Sequence, residues 1–578
     1  MSLIHEERFE RTLDALVSRH AGAARLEAWT FDDLESRREA ERRLAAAGVK
    51  ARIRSAYKPL LHWFLEDADL SGVRSIEVGY PAVAPPTNRF LLEAYPLAAL
   101  TGDAELSFTA IEGDGLDYIV ELGYFDGRKE RQRVFAPNHL HLDFVAETVL
   151  SPTGWERVDG DPTGHRLETD YERLFASAMY AVVTHDWGSE EPYFDELNVR
   201  VRLPIDDQRL PHGEEVLSLR EALHEDIYFS LLEVFQLKSA RPLGDRGLKP
   251  GQIVPEILPS DGPIELCIET RPLSLEGDPT PGQQRLETAE RPLSMAQVRA
   301  ELGRLDGVAF QALSRAGRLV EARYIEGSDV PVMISGGQHA NETTGVVGAL
   351  RAAHELSARR GAHFTVAPLL NPDGYALHQR LCIDNPRHMH HAARYTALGN
   401  DLDYRLRGES EEGLGEKRVR LEAERLSLAK LYVNLHGYPS HEWTRPLSGY
   451  VPRGFAAWTL PKGFFLIVRH HRGWERAVER LLDEVSSRLV RVPGLLAFNQ
   501  AQIRCYQIHA KTMEFRFING FPCLVLLDER DSAPITLITE YPDETIYGEA
   551  FIAGHTAQME TVLAAYDAFQ GIAADGLN

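Results

Sequence analysis

The chain has 578 residues, 44% hydrophobic and 26% charged, which is long enough for more than one globular domain. Its formal net charge of −23 argues against a nucleic-acid partner and against anionic membrane surfaces, because both require a basic protein surface. No run approaches 18 apolar residues, which excludes a membrane-spanning helix.

The cysteines and the N-terminal sequence favour a cytoplasmic protein. Four cysteines are widely spaced and form no Cys-x-x-Cys pair, which predicts reduced and mostly buried thiols. The first residues show no apolar segment behind a basic one, so we expect no secretory signal. The oligomeric state is left open by these features.

The first part of the chain, residues 1–290, predicts an α+β region of unknown role, with two subdomains as one possibility. Up to about residue 70 the apolar positions, such as Phe9, Leu13 and Leu16, have helical spacing. The elements expected next are strands between about 74 and 150, a helix near 169–184, strands near 196–203 and a helix near 217–238.

A Pro- and Gly-rich segment at about 240–295 is interpreted as the connection to a second, catalytic domain at 291–578. In this second part, strands alternate with helices, which predicts an α/β fold with a mainly parallel or mixed sheet and helices on both faces. Ligands of such sheets bind at the carboxyl ends of the strands. The elements expected first are a helix at 294–305 and strands at 307–313, 318–325, 330–334 and 364–370, the last followed by a turn at 371–374.

A metal site is indicated at two strand ends. His339 and Glu342 follow a short apolar run and a Gly pair, with a spacing that lets both side chains face one point. His436 ends a second strand-like run, at residues 431–435, and is also followed by glycine. Two histidines and one glutamate leave the fourth position of a zinc ion open for water, as in catalytic zinc sites.

A general base is expected at Glu540, which lies near the end of another strand-like run, residues 535–539. A carboxylate beside zinc can take a proton from water and pass it to a leaving amine. Glu514 follows a similar pattern and is the rival candidate.

From residue 293 to residue 551 the chain resembles the zinc carboxypeptidases, also called funnelins. This resemblance implies one zinc ion, and it favours Glu540 over Glu514 as the base. The motifs that carry it are residues 336–342 (Gly-Gly-Gln-His-Ala-Asn-Glu), 371–375 (Asn-Pro-Asp-Gly-Tyr), 435–437 (Leu-His-Gly), and Glu540 followed by 543–545 (Asp-Glu-Thr) and 547–548 (Tyr-Gly).

The resemblance also implies roles for residues near the metal. Arg387 is closest to the arginine that stabilises the oxyanion in the family, while Arg394 and Arg380 are less well spaced. Asp401 is similar to the aspartate that orients the first metal histidine. Tyr506 is a weak candidate for the tyrosine that caps the substrate.

The chain departs from the family where the substrate carboxylate is usually held. The family's Asn-Arg pair is replaced by Asp403 and Tyr404. An acidic Asp403 would repel a carboxylate and accept an amine, amide or hydroxyl, whereas Arg405 restores the clamp if the loop shifts. His441, with Arg445, is a further candidate for the substrate pocket.

The leading hypothesis is therefore a zinc metallocarboxypeptidase that cleaves a C-terminal peptide bond with Glu540 as general base. The alternative is a zinc deacylase or amidase that acts on an acylated small molecule or natural product. A binding module with a decayed zinc site is a third reading, disfavoured by the intact ligands and base. The expected partner is thus a peptide or a small acylated substrate.

Overall fold

The computed structural model describes residues 2–83, 88–113, 115–275, 282–403, 414–453, 458–511 and 513–576. Among these residues no helix combines the length and apolar character needed to cross a membrane. All four cysteines are free, and Cys505 and Cys523 are buried.

Up to residue 275 the chain forms several small sheets flanked by helices. The helices are α1 (Thr12–His20), α2 (Leu34–Ala46), α3 (Pro59–Glu66), α4 (Arg89–Glu93), α5 (Asp170–Thr184) and α6 (Leu219–Lys238). The strands are β1 (Ser2–Phe9), β2 (Arg25–Thr30), β3 (Lys50–Ser55), β4 (Val73–Pro81), β5 (Glu105–Ile111), β6 (Asp117–Tyr124), β7 (Lys129–Phe135), β8 (Asn138–Leu142), β9 (Thr148–Pro152), β10 (Gly154–Val158), β11 (His165–Leu167), β12 (Glu196–Leu203), β13 (Gln208–Arg209), β14 (Val216–Leu217), β15 (Gln252–Pro259) and β16 (Ile264–Arg271).

The sheets combine strands that are distant in sequence. Within the described residues the orders are β1-β16-β12-β15, β11-β10-β2-β3 and β5-β4-β6-β7, with the pairs β8-β9 and β13-β14.

Two predictions made from the sequence for this region are wrong. The first 70 residues are not helical throughout, because β1, β2 and β3 alternate with the helices, and the supposed connecting segment contains β15 and β16. Both errors have one cause: these strands pair with distant partners, which local spacing does not show.

After residue 290 strands and helices alternate as predicted. The helices are α7 (Met295–Gly303), α8 (Thr344–Ser357), α9 (Pro372–Leu381), α10 (Gly415–Ser427), α11 (Glu475–Leu489), α12 (Leu495–Ala510) and α13 (Glu549–Ala574). The strands are β17 (Val308–Leu313), β18 (Leu319–Ile325), β19 (Val332–Gly336), β20 (Phe364–Ala367), β21 (Leu431–Pro439), β22 (Phe465–His470), β23 (Arg516–Ile518), β24 (Phe521–Leu527) and β25 (Ile535–Glu544).

These strands form one mixed sheet, called the large sheet below, and its order among the described residues is β17-β18-β20-β19-β21-β25-β22-β24-β23. Its centre, β20-β19-β21-β25, is parallel. Alternate residues of β19 face opposite layers: Val332 and Ile334 join the core that contains α8, α11 and α13, whereas Met333 packs with Ala423 of α10. The α/β prediction, with helices on both faces, is confirmed.

The predicted turn at 371–374 is instead the beginning of α9. The Asn371 side chain accepts a hydrogen bond from the Gly374 backbone N–H at 2.9 Å and so caps the helix, which has Pro372 in its first turn. Asn followed by Pro is common both in turns and at the first residues of helices, so the sequence alone could not distinguish the two.

Helix α6, from the first part of the chain, makes buried contacts with the second part. Its acidic side chains bind the segment that follows β21: Glu221 contacts His441 at 2.8 Å, and Glu233 contacts Arg445 at 2.8 Å. Asp226 accepts a hydrogen bond from the Leu447 N–H, also at 2.8 Å. Because these groups are buried, the segment is held by charge-assisted bonds that water does not replace.

Candidate metal and catalytic site

The predicted metal ligands lie where two parallel strands of the large sheet end. The register of β19 and β21 pairs Gly336 with Leu435, so the turn after β19 and His436 meet at one edge of the sheet. His339 and Glu342 lie in this turn, immediately before α8. The topology therefore brings together residues that are far apart in sequence.

The turn that carries His339 requires glycine. Gly337 has a φ of 58°, in the left-handed region that glycine adopts without a steric cost. A Cβ at this position would lie 2.8 Å from Leu369 Cδ1. The second glycine of the Gly-Gly pair therefore allows the chain to leave β19 and present His339.

The side chains of His339, Glu342 and His436 converge on one point. His339 Nδ1 lies 2.9 Å from Glu342 Oε1 and 3.0 Å from His436 Nδ1. His436 Nδ1 lies 3.0 Å from Glu342 Oε2. All three residues are buried, and their ligand atoms lie within 4.8 Å of one another.

This donor set fits a metal ion. Two imidazole nitrogens and a carboxylate are ligands that zinc accepts in catalytic sites. The second ring nitrogen of His339 faces Asp401 Oδ1 at 3.2 Å, which orients the ring so that Nδ1 points to the cluster. The two Nδ1 atoms and the Glu342 carboxylate thus converge closely enough to serve one cation.

The electrostatics of the cluster favour a bound cation. Burial and Arg394 act to lower the pKa of His339, but the charges of Glu342 and Asp401 outweigh them and raise it to about 9. Burial lowers the pKa of His436. Although burial opposes ionisation, His339 and Arg394 hold the pKa of Glu342 well below its usual range. The negative charges of Glu342 and Asp401 thus favour a positive charge at His339, which a proton or a metal ion can supply.

Glu540 lies beside the cluster. The parallel register of β21 and β25 pairs Glu540 with His436, so both side chains leave the same face of the large sheet. Burial and the charge of Glu342 raise the pKa of Glu540 well above its usual range. The rival Glu514 is exposed, precedes β23 and does not line the cavity described next.

A cavity of about 370 Å³ opens in front of the cluster. This volume lies in the range of sites for small molecules. Its aromatic lining consists of Phe229, Tyr395, Tyr438, Trp443 and Trp458, and its charged lining, apart from the ligands, of Arg246, Arg394, Asp403, Arg469 and Glu540. The cavity therefore offers both apolar walls and ionic partners near the metal ligands.

The structure places Arg387 away from the cluster. Its side chain is 46% exposed, pairs with Glu214 at 2.7 Å and does not line the cavity. Arg394 does line the cavity, and it donates to Glu342 Oε1 at 2.6 Å. Arg380 pairs with Glu196 at 2.9 Å.

Asp403 lies in the cavity wall, but its charge is neutralised. Arg469 of β22 donates to both carboxylate oxygens, at 2.9 and 2.8 Å. Despite desolvation, this bidentate pair keeps the pKa of Asp403 low. The expectations for Tyr404 and Arg405 lie outside the described residues.

His441 and Arg445 do not line the cavity; they are bound by α6 as described above. Trp443 lies between them in sequence and does line the cavity. Tyr506 is buried in α12 and does not line the cavity.

Two cavity residues come from the region before residue 275, where the sequence had indicated no role. Phe229 lies on α6 and stacks on Trp443, with ring centroids 5.3 Å apart. Arg246 lies in the loop between α6 and β15. The only local signal for Arg246 is its position between Asp245 and Gly247 in a glycine-containing turn, which is too weak to identify a site.

No protein-family model and no curated protein matches the sequence. Several solved structures are similar. The metallo-carboxypeptidase of Pseudomonas aeruginosa is 14% identical, with 55% of this chain and 74% of that chain covered and a TM-score of 0.31. The structures that this chain resembles include metallocarboxypeptidases.

The metallo-carboxypeptidase of Burkholderia cenocepacia gives similar values: 14% identity, 54% of this chain, 76% of that chain and a TM-score of 0.31. The ectoine utilization protein EutE (DoeB) of Ruegeria pomeroyi is 13% identical, with 45% and 68% of the two chains covered and a TM-score of 0.27. The metallocarboxypeptidases are the kind of protein that the sequence motifs resemble.

Proposed function

We propose that this protein is a zinc-dependent hydrolase of amide bonds, and specifically a metallocarboxypeptidase-like enzyme. The observation that carries the proposal is the register of β21 and β25, which sets Glu540 beside the convergent His339, Glu342 and His436. A set of metal ligands alone suits many roles. A carboxylate on the same face, at the wall of a cavity, suits hydrolysis.

In this proposal His339, Glu342 and His436 hold one zinc ion. When bound there, zinc supplies Lewis-acid polarisation and lowers the pKa of water. Asp401 fixes the tautomer and the orientation of His339 through the ring nitrogen that faces away from the cluster. The backbone N–H of Gly437 donates to Glu342 Oε2 at 2.9 Å and fixes the carboxylate in turn.

Glu540 acts as the general base and then as the general acid. It accepts a proton from the attacking water and delivers it to the leaving nitrogen. The support for this role is geometric: Glu540 is paired in register with His436 and lines the same cavity as the metal-ligand cluster. We assign the oxyanion-stabilising role to Arg394, in place of Arg387, because Arg394 lines the cavity.

A second candidate is a deacylase or amidase for acylated small molecules. Asp403 favours it, because an acidic side chain replaces the expected carboxylate clamp at the cavity wall. The ion pair with Arg469 weakens this argument, since the pair presents little net charge to a substrate. Cleavage of a C-terminal peptide bond therefore remains the first candidate.

The test is hydrolysis of a panel of blocked peptides with free and with amidated C-termini, together with N-acyl amino acids. The zinc-loaded protein is expected to cleave the free C-termini, to lose activity with a chelator and to regain it with zinc. Cleavage of only amidated or N-acyl substrates would favour the deacylase. If no substrate is cleaved by protein shown to contain zinc, the proposed function is contradicted.

A further inference from the structure

The catalytic cavity contains an imidazole that the proposed mechanism does not use. His391 lines this cavity together with the proposed metal ligands His339 and His436. It begins a short 3-10 helix, His391–Ala393, and precedes Arg394 by three residues. Because its side chain is only 7% exposed, the ring belongs to the wall of the cavity and not to the outer surface of the protein.

A buried carboxyl group of helix α6 fixes this ring. His391 Nδ1 lies 2.5 Å from Glu225 Oε2, in a charge-assisted contact. Glu225 is fully buried, and its other oxygen, Oε1, has no hydrogen-bond partner within the described part of the chain. His391 is therefore the group that satisfies the buried carboxyl group of Glu225.

Two aromatic rings hold the imidazole from its sides. Phe229 of α6 lies edge-on to His391, with ring centroids 5.2 Å apart, and Trp443 packs on it at 4.6 Å. Both aromatic residues also line the cavity. Among the residues that the structure describes, no hydrogen bond engages the second ring nitrogen, Nε2. Since Nδ1 is bound to Glu225, Nε2 is the atom of His391 that can bind a substrate.

The surroundings favour the charged form of this imidazole. Burial acts to lower the pKa of His391, but the carboxyl groups of Glu225 and Glu544 outweigh it and raise the pKa. An imidazolium donates from both ring nitrogens. Nε2 then presents an N–H to the cavity while Nδ1 donates to Glu225. A charged donor of this kind bonds most strongly to an anionic acceptor.

The rest of the cavity wall also suits an anion. Among the described residues that line it, the arginines outnumber the acidic side chains, which are Asp403 and Glu540. Asp403 is already paired with Arg469 by two hydrogen bonds. Glu544, which acts on His391 from the protein side, does not line the cavity. The charge of the wall is thus complementary to a carboxylate.

We propose that His391 donates a hydrogen bond from Nε2 to a carboxylate of the substrate, and that Glu225 is the positioning residue that holds the ring for this contact. The substrates are accordingly amides that carry a carboxylate within the same cavity as the scissile bond. This inference rests on the proposed function and deepens it. It also gives helix α6, from the first half of the chain, a part in substrate recognition.

The test compares two ligands of nearly equal shape, 3-phenylpropanoate and its uncharged amide, by calorimetry with the zinc-loaded protein. His391→Asn places an amide N–H near the position of Nδ1, which keeps a donor for Glu225 and removes Nε2. It is expected to weaken binding of the carboxylate by about 10- to 100-fold and to leave binding of the amide unchanged. Glu225→Gln should also weaken binding of the carboxylate alone, because the charge that favours the imidazolium is lost.

His441→Asn is the matched control. His441 is a buried histidine bound at 2.8 Å by Glu221 of the same helix, but it does not line the cavity. We expect both ligands to bind this variant as they bind the unmodified protein. The zinc content of every variant is measured, so that a loss of the metal is not mistaken for a loss of the donor.

Three results would overturn the inference. The unmodified protein could fail to prefer the carboxylate over the amide. His391→Asn could weaken both ligands equally, which would show that the ring only shapes the cavity, or it could weaken neither, which would place the carboxylate on another group. Binding does not require turnover, so a selective loss in a protein that hydrolyses nothing would leave only the proposed function contradicted.

Discussion

His436 and Glu540 occupy paired positions on the neighbouring parallel strands β21 and β25. Since residues paired in this way point to the same side of a sheet, a predicted metal ligand and a buried carboxyl group share one wall of the cavity. A slip of one residue in this register would turn Glu540 to the opposite face. The arrangement of the site is therefore a property of the sheet, and the loops complete it.

Arg394, and not Arg387, is expected to matter for turnover. Arg394→Gln should lower kcat by about 100-fold or more, because it removes a charged donor from the cavity wall. Arg387→Gln is the matched control, since Arg387 is half-exposed and pairs with Glu214. Steady-state kinetics of the two zinc-loaded variants decide the question, and a large loss for Arg387→Gln alone would restore the assignment made from the sequence.

Asp401 should contribute to metal affinity through His339. Asp401→Asn is expected to weaken zinc binding by about 10- to 100-fold, because the ring of His339 loses its ionic partner. Asp403→Asn is the control, because Asp403 follows Asp401 by two residues but its side chain pairs with Arg469. Competition with a chromophoric chelator measures both affinities. Equal affinities would mean that Asp401 does not position His339.

The contact of α6 with the segment after β21 should stabilise the whole molecule. Arg445→Met leaves Glu233 with Arg453 as its remaining partner and removes one buried charge-assisted contact, at a cost of about 2 kcal/mol in the free energy of unfolding. Arg425→Met, which removes an exposed pair with Glu422, should have no measurable effect. Urea denaturation provides the comparison. Equal stability of the two variants would contradict the assigned role of the contact.

Glu416 should make stability depend on pH. Burial raises its pKa to about 8, from 4.5 in the unfolded chain, so the folded state retains a proton that the unfolded state releases between these values. Stability is therefore lost as the pH rises through this window, by about 1 kcal/mol per unit. The free energy of unfolding of Glu416→Gln, relative to the unmodified protein, should increase from pH 5 to pH 8. A difference that does not change with pH would contradict the assignment.

The cluster of His339, Glu342 and His436 was predictable because each residue has a local sequence signal. His339 and Glu342 share one turn, and His436 follows an apolar run and precedes glycine, so strand ends could be recognised without the fold. The same reasoning offered both Glu540 and Glu514, and the resemblance to the zinc carboxypeptidases favoured Glu540, whose role stays a prediction. The register that places it beside His436 is a long-range property, and only the structure shows it.

The substrate-facing residues were less predictable. Arg387 and Arg394 lie in a stretch of short turns, where spacing does not determine which side chain reaches the cavity. Phe229 and Arg246 come from a part of the chain whose packing against the large sheet has no local signal. His441 was predicted to line the pocket, but its buried contact with Glu221 of α6 was invisible in the sequence.

The most direct test of the proposed chemistry is the kcat of Glu540→Gln on the best substrate of the panel, with its zinc content measured. We predict full zinc occupancy and a loss of kcat of about 100- to 10,000-fold, because the general base is removed while the ligands remain. Glu514→Gln, which changes an exposed carboxylate outside the cavity, should keep its activity. A zinc-loaded Glu540→Gln protein with the kcat of the unmodified enzyme would contradict the role of Glu540 and the mechanism that depends on it.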